Sequence, residues 1–434
     1  MKANPEKAII NVITLGCSKN LVDSEKLLKQ FEENGLLIVH NENSSKADTV
    51  VINTCGFIKD AKQESIDTIL QFAKAKKRGD IRNLYVMGCL SERYKTELEK
   101  EIPEVDRYFG TNNIDEIVKS LGYNYKENLV GERFLTTPSH YAYLKISEGC
   151  DRQCSFCAIP LMRGKHKSRS IEDIIAEAGN LVNKGVKELI LIAQDLSYYG
   201  VDLYRKQVLS DLLLQLADIE KMEWIRLHYA YPAGFPKDIL KVMYNNSKVC
   251  NYLDIPFQHI SDPVLKNMRR GITSFQTYKL IDSIREMIPD ITLRTTLMVG
   301  HPGEGIREFE ELQEFVEKVR FDRLGVFTYS EEEDTFGARN FKDSIPEKTK
   351  QERLEKIMEL QRQISNEKNQ TKIGSGIKVI IDQSEYEYYI GRSEADSPEV
   401  DNEVIVKSEK LLFPGEFYIV NITQANDYDL EAVL

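Results

Sequence analysis

Short apolar runs that alternate with helical stretches limit most sharply how this chain can fold. From Ala8 to about Lys119 the runs "AIINVITLG", "LLIVH", "DTVVINTCG" and "NLYVMGC" alternate with "SEKLLKQFEENG", "AKQESIDTILQFAKAKK" and "SERYKTELEKE". That order predicts an α/β multidomain chain beginning with a flavodoxin-like, doubly wound α/β domain. From about His140 the pattern restarts with "YAYLKIS", "ELILIAQ", "WIRLHYA", "YLDIPFQ", "ITLRTTLMVG" and "RLGVFTYS". Eight such units would close a full barrel, so these six predict a partial (β/α)6 barrel of the TIM type. A long polar helix, "PEKTKQERLEKIMELQRQISNEKNQ", then runs toward Gly374, and the remainder alternates without a helix, as a small all-β, OB-like barrel does. At 434 residues the chain exceeds what one core usually serves. Domain boundaries fall at 7–125, 136–370 and 371–434.

No apolar run approaches the roughly 20 residues that cross a bilayer, and "MKANPEKAIINVITLG" lacks the marks of a signal peptide, so the expected location is the cytoplasm, with no membrane partner. In a reducing compartment seven cysteines, an odd number, are poor material for disulfides and point to metal or redox chemistry. Three of them crowd the stretch "SEGCDRQCSFCAIP", as Cys150, Cys154 and Cys157. Structural zinc usually takes four ligands; His166 could supply the fourth, although "RGKHKSR" suits phosphate or carboxylate as well. An iron–sulfur cluster on three thiolates instead leaves one iron open to a small molecule. The stretch follows the first barrel strand, which puts it at the C-terminal mouth where such barrels keep their chemistry. Zinc, an iron–sulfur cluster and an incidental grouping all remain open on spacing alone.

Cys17, Cys55 and Cys89 each stand at the C-terminal end of a predicted parallel strand, and in an open α/β sheet those ends line one crevice. Singly, each suits a small buried apolar position. Together they predict a second three-thiolate set. Cys250 has no such companions and reads as a packing residue.

Segment 371–434 carries five Lys or Arg against thirteen Asp or Glu, a net charge of −8 out of −11 for the whole chain. Such a surface repels phosphate, so direct nucleic-acid binding is not expected. It attracts a basic protein and speeds the encounter. The stretch "EADSPEVDNE", 394–403, concentrates this charge, as a lure or as a merely solvated loop. "KAKKR", Lys74 to Arg78, reads as the last turn of a helix, whereas "EEED", Glu331 to Asp334, faces either a basic substrate or water.

"CDRQCSFC" resembles the CxxxCxxC motif of radical S-adenosylmethionine (SAM) enzymes, including the aromatic Phe156 before the last cysteine. The resemblance implies a 4Fe–4S cluster on Cys150, Cys154 and Cys157 whose free iron chelates SAM and cleaves it to a 5′-deoxyadenosyl radical. It implies that Phe156 packs near the adenine and that "GHPGE", with Gly300, Pro302, Gly303 and Glu304, helps shape the SAM site; taken alone, "GHPGE" is equally a turn closing a strand. Arg163, with His166 and Arg169, would reach the SAM carboxylate or a second cluster, or only solvent. Across essentially the full chain, "TLGCSKNLVDSE", "VINTCGFI", "KISEGCDRQCSFCAIPLMRGKHKSR", "YLDIPFQH" and "FTYSEEEDT" resemble the methylthiotransferases, and more the branch that modifies an aspartate of small-subunit ribosomal protein twelve than the transfer-RNA branch. Ser18 departs from the proline expected after the first cysteine. Segment 371–434 resembles a TRAM domain.

The resemblance implies two 4Fe–4S clusters, the second on Cys17, Cys55 and Cys89. One SAM would methylate a cluster-associated sulfur and another would be cleaved, so that the radical takes hydrogen from the aspartate β-carbon. An electron donor such as flavodoxin or ferredoxin and a basic ribosomal protein held by the acidic TRAM domain complete the expected partners. The alternatives are methylthiolation of transfer-RNA adenosine and a non-catalytic metal-binding module that docks on ribosomes.

Overall fold

The computed structural model describes residues 8–42 and 47–434. The expected domain start at Lys7 and the first residues of the stretch read for a signal peptide lie outside the described residues. Compactness divides the chain into two units. One takes in the residues up to Thr137 with Tyr143–Asp151 and Ala158–Asn180; the other takes in Pro138–Ala142, Arg152–Cys157 and Leu181–Leu434.

The N-terminal sheet contains β1 (Ile9–Thr14), β2 (Leu37–His40), β3 (Thr49–Thr54), β4 (Asn83–Gly88) and β5 (Arg107–Tyr108), in the order β2-β1-β3-β4-β5 and parallel throughout. This is the flavodoxin-like order, with its switch point beside β1 and β3. The central strands are apolar because both faces are covered. Successive residues serve opposite layers: Val50, Ile52, Leu84 and Val86 join one core, and Val12, Val51, Tyr85 and Met87 the other. The helices are α1 (Ser18–Glu33), α2 (Lys59–Arg78), α3 (Cys89–Glu101) and α4 (Ile114–Ser120). Lys76, Lys77 and Arg78 occupy the last turn of α2, as read from sequence.

Six strands form the second sheet: β6 (Tyr141–Lys145), β9 (Glu188–Ile192), β10 (Trp224–Leu227), β11 (Val249–Asp254), β12 (Thr292–Val299) and β13 (Arg323–Thr328). They run in chain order across the sheet, the open partial barrel expected. A ribbon unforeseen in the sequence, β7 (Ser147–Glu148) paired with β8 (Lys167–Ser168), brackets the cysteine-rich stretch, and α5 (Ile159–Arg163) and α6 (Ile171–Asn183) accompany it. The polar helix Glu347–Gln370 packs on β13. Cys250 lies in an apolar cluster with Trp224, Tyr252 and Ile380, and burial pushes its thiol up to about 12.

The C-terminal strands β14 (Gly376–Ser384), β15 (Tyr389–Ser393), β16 (Val404–Lys407), β17 (Phe417–Ala425) and β18 (Leu430–Val433) close a barrel around Val379, Ile381, Val404, Val420 and Ile422. The reading of 394–403 as a lure in solvent is corrected here. Asp396 accepts from Arg323 Nε at 3.1 Å, and Asp401 accepts from Arg294 Nε at 3.2 Å and from the Tyr252 hydroxyl at 2.7 Å. The Glu394 carbonyl accepts from Arg226, and Ser397 Oγ lies 2.8 Å from His228 Nε2. Arg226, Arg294 and Arg323 sit on β10, β12 and β13, where a charge removed from water requires a carboxylate or carbonyl. The loop supplies them together with Glu188, 2.8 Å from Arg226, and Asp254, 3.4 Å from Arg294. Arg392 extends the pairing to Glu188 at 2.8 Å and to Asp382 at 2.6 Å. Within 394–403 only Glu399, Val400 and Glu403 are exposed.

Candidate metal centres

Neighbouring strands bring the first thiol set together. Cys17 precedes α1 just beyond β1, Cys55 follows β3, and Cys89 opens α3 directly after β4. Cys17 is exposed, while Cys55 and Cys89 are buried. The loops approach so closely that side chains are excluded between them. Gly16 has φ +89°, and a Cβ there would lie 2.7 Å from Cys55 Cβ and 3.0 Å from its sulfur. Gly88 has φ +100°, and a Cβ there would lie 2.5 Å from the Thr54 carbonyl oxygen.

Asn20, unnoticed in the sequence, ties the loops. Its side-chain amide donates to the Leu15 carbonyl at 2.8 Å and to the Thr54 carbonyl at 3.1 Å, while its backbone carbonyl accepts from the Asn53 side-chain amide at 2.9 Å. Arg163, at the end of α5, points into the same set. Its Nε donates to Cys89 Sγ at 3.2 Å, its Nη1 to Asp23 at 2.8 Å and Glu148 at 3.1 Å, and its Nη2 to the Asn20 side-chain oxygen. Lys145 pairs with the same two carboxylates, Asp23 and Glu148. The guanidinium thus goes to a thiol rather than to solvent.

Burial pushes the Cys55 thiol up to about 11, and nearby Cys17 and Cys89 act in the same direction. Burial raises Cys89 as well, with Arg163 opposing. Among the described residues no three His, Cys, Asp or Glu are drawn in to metal-ligand spacing. The donor set nevertheless fits an iron–sulfur centre. Buried thiols resist ionisation until a cation enters among them, and a metal ion deprotonates them outright.

The second set lies on the stretch between β7 and α5. The Cys150 amide donates to the Gly164 carbonyl at 3.1 Å, and the Cys157 amide to the Cys154 carbonyl at 3.2 Å. Cys154 Sγ lies 3.2 Å from Arg270 Nη1 and 3.6 Å from the Tyr231 hydroxyl. Arg270 is buried and stacks over the Tyr231 ring at 4.3 Å. Arg270 and Tyr231 carried no motif in the sequence. The guanidinium thus donates directly to the sulfur of this thiol.

Phe156 meets His301 edge-on at 6.3 Å, and Ser155 Oγ lies 3.2 Å from His301 Nε2, so "GHPGE" abuts the thiol stretch. The segment is a closed turn after β12. Glu304 accepts the Gly300 amide at 2.9 Å and pairs with Arg353 at 2.6 Å, and the Pro302 carbonyl accepts from Asn267 at 3.2 Å beside Gly303. Its carboxylate is therefore spent inside the turn, and the segment contributes shape. Burial holds His301 down at about 4, so it is neutral at physiological pH. His166, the possible fourth zinc ligand, lies 3.0 Å from Ser168 Oγ, and Arg169 pairs with Glu177 at 2.7 Å.

Three family models match the chain: the uncharacterized protein family UPF0004 over residues 9–110, the radical SAM superfamily over 144–316 and the TRAM domain over 373–434. Among its relatives is the ribosomal protein uS12 methylthiotransferase RimO of Phocaeicola vulgatus, 57% identical over 98% of each chain. That of Bacteroides thetaiotaomicron is also 57% identical, over 98% of this chain and 97% of its own. Among solved structures, the radical SAM methyltransferase TsrM from Kitasatospora setae, with cobalamin and a 4Fe–4S cluster, superposes with a TM-score of 0.54 at 13% identity over 74% of this chain and 75% of its own. The cobalamin-dependent SAM radical enzyme OxsB gives 0.52 at 15% identity over 81% and 56%. At those identities the two structures speak for the fold alone.

Proposed function

The chain belongs to the family of ribosomal protein uS12 methylthiotransferases named RimO, and from that premise we propose how its residues divide the reaction. It is a radical SAM methylthiotransferase, and its family implies a 4Fe–4S cluster and SAM. In the proposed reading Cys150, Cys154 and Cys157 hold the cluster that binds SAM. Phe156 lies against the adenine, and the turn through Gly300, Pro302, Gly303 and Glu304 shapes that site. Cys17, Cys55 and Cys89 hold a second 4Fe–4S cluster, and the target is the β-carbon of an aspartate in uS12. When bound, these groups supply one-electron chemistry able to break an unactivated C–H bond, and a methylated sulfur to take the place of the hydrogen.

The chain's own contribution is placement. Arg270 donates to Cys154 Sγ and Arg163 to Cys89 Sγ, and Gly16 and Gly88 let the loops of the first set close. The domains 7–125, 136–370 and 371–434 carry the second cluster, the radical core and the TRAM barrel respectively. With 394–403 occupied, uS12 is drawn instead by the acidic residues still exposed on the barrel. Glu385 and Glu387 flank the fully exposed Tyr386 at the β14–β15 hairpin. A small one-electron carrier such as flavodoxin or ferredoxin supplies the electron. A ribosomal substrate supports a cytoplasmic location, and no helix among the described residues is long and apolar enough to cross a membrane.

The observation that carries this reading is the second thiol set at the ends of three adjacent parallel strands. Peptide mass spectrometry of ribosomal proteins from cells with and without the chain tests it. A methylthio mass gain on one aspartate-containing uS12 peptide is expected only with the chain present. A change confined to transfer-RNA nucleosides would transfer the reading to the alternative substrate.

Replacing Cys17, Cys55 or Cys89 with alanine should separate the two centres. Each variant is expected to retain SAM cleavage to 5′-deoxyadenosine but to give no methylthiolated peptide. Product at the wild-type level would remove the second cluster from the scheme.

A further inference from the structure

Arg163 is held by more partners than an ion pair needs. Its Nη1 serves Asp23 and Glu148, its Nη2 serves Asn20, and its Nε is directed to Cys89 Sγ at 3.2 Å. The side chain is 2% exposed, so this fork is fixed by packing as well as by hydrogen bonds. Locally the cations Arg163 and Lys145 balance the carboxylates Asp23 and Glu148. A structural salt bridge would be complete without the sulfur contact. Arg270 makes the same contact, also at 3.2 Å, with Cys154 of the other set.

We infer that Arg163 is a positioning residue for the Cys89 corner of the N-terminal thiol set, where its N–H···S bond and charge raise the reduction potential of the iron–sulfur centre proposed there. The inference rests on the second cluster proposed above. Hydrogen bonds to cluster sulfurs and nearby charge are among the protein's main controls over such potentials. Removing Arg163 deletes a donor and leaves a local excess of negative charge from Asp23 and Glu148. Both changes disfavour adding an electron. Asn20 serves the same end by accepting from Nη2 while tying the Cys17 and Cys55 loops.

The test uses the full chain with Cys150, Cys154 and Cys157 all replaced by alanine, so that only the N-terminal set can be loaded. After anaerobic reconstitution with iron and sulfide, the midpoint potential is read by redox titration followed by electron paramagnetic resonance. Added Arg163→Gln should leave about a tenfold smaller reduced-to-oxidised ratio at a fixed potential, a shift of about 59 mV to the negative for one electron. Arg163→Lys, which keeps the charge but lacks the planar fork, should fall between the two.

Arginine labelled with nitrogen-15 should show hyperfine coupling to the reduced cluster only when residue 163 is arginine. Full iron loading with an unchanged potential in Arg163→Gln would overturn the inference and leave the second cluster intact. Should Arg163→Gln lose its iron, the lysine variant decides: a negative shift supports the inference, and the parent potential overturns it. A parent protein that takes up no iron would overturn the second cluster and this inference with it.

Discussion

Replacing Cys154 with alanine is expected to reduce 5′-deoxyadenosine formation to background while iron remains on Cys17, Cys55 and Cys89. Three thiolates are the minimum that holds a cluster and still leaves one iron for SAM, so losing one removes the site rather than weakening it. Cys154 is informative because its sulfur lies 3.2 Å from Arg270 Nη1 and 3.6 Å from the Tyr231 hydroxyl. In the alanine variant the buried guanidinium loses its sulfur partner, and the stretch loses one of the three thiols that a cluster would need. Iron and sulfide analysis, with chromatography of the SAM products, reads both effects together. Cys250→Ala is the control: that thiol is packed against Trp224 and Tyr252, so SAM cleavage should persist. Cleavage at the wild-type rate in Cys154→Ala would place the SAM chemistry elsewhere.

Asp396→Ala is expected to destabilise the second unit by about 3–5 kcal/mol, the usual cost of leaving one buried charge without its partner. Arg323 would be that charge, since both its Nε and Nη2 point at Asp396 Oδ1. Asp396→Asn should cost less, because its side-chain oxygen still accepts. Joint replacement by Asp396→Leu and Arg323→Met should recover much of the loss by removing both charges together. Urea unfolding checks all three. A loss under about 0.5 kcal/mol for Asp396→Ala, the ordinary range of surface substitutions, would show the contact to be incidental.

The pH dependence has a definite sign. Burial alone would raise the Asp396 carboxyl, but Arg323 and Lys372 outweigh it and hold the group below the ordinary value of 3.8. A carboxyl depressed in the folded state contributes stability above its unfolded pKa and loses it as pH falls through the folded one. The contribution should therefore be complete at neutral pH and fade only below about pH 4.

Strand-end cysteines were legible because alternating runs of apolar and helical sequence fix which residues reach the same edge of a parallel sheet. The doubly wound class of the first domain, the partial barrel and the small C-terminal β-barrel followed from the same periodicities. What escaped was pairing at long range. "EADSPEVDNE" looked like a solvated acidic loop because nothing within it shows that its partners lie on strands more than 70 residues earlier. The signal was present on the other side: "WIRLHYA", "ITLRTT" and "DRLGVF" each place an arginine within an otherwise apolar strand, which demands a carboxylate or carbonyl from elsewhere. Asn20 and Arg270 gave less warning. An asparagine in a helix and an arginine before a glycine are ordinary until loops from three strands converge on one and a thiol faces the other.

The reliance of Arg226, Arg294 and Arg323 on residues 394–401 also bears on biosynthesis. A nascent chain translated as far as the polar helix Glu347–Gln370 already contains those cations with only part of their partners, Glu188 beside Arg226 and Asp254 beside Arg294, and lacks the carboxylate that Arg323 requires, so its sheet stays incompletely paired and exposed to aggregation. Arg323 meets its carboxylate only once segment 394–401 has been made, so the pairing of this sheet is completed late in synthesis.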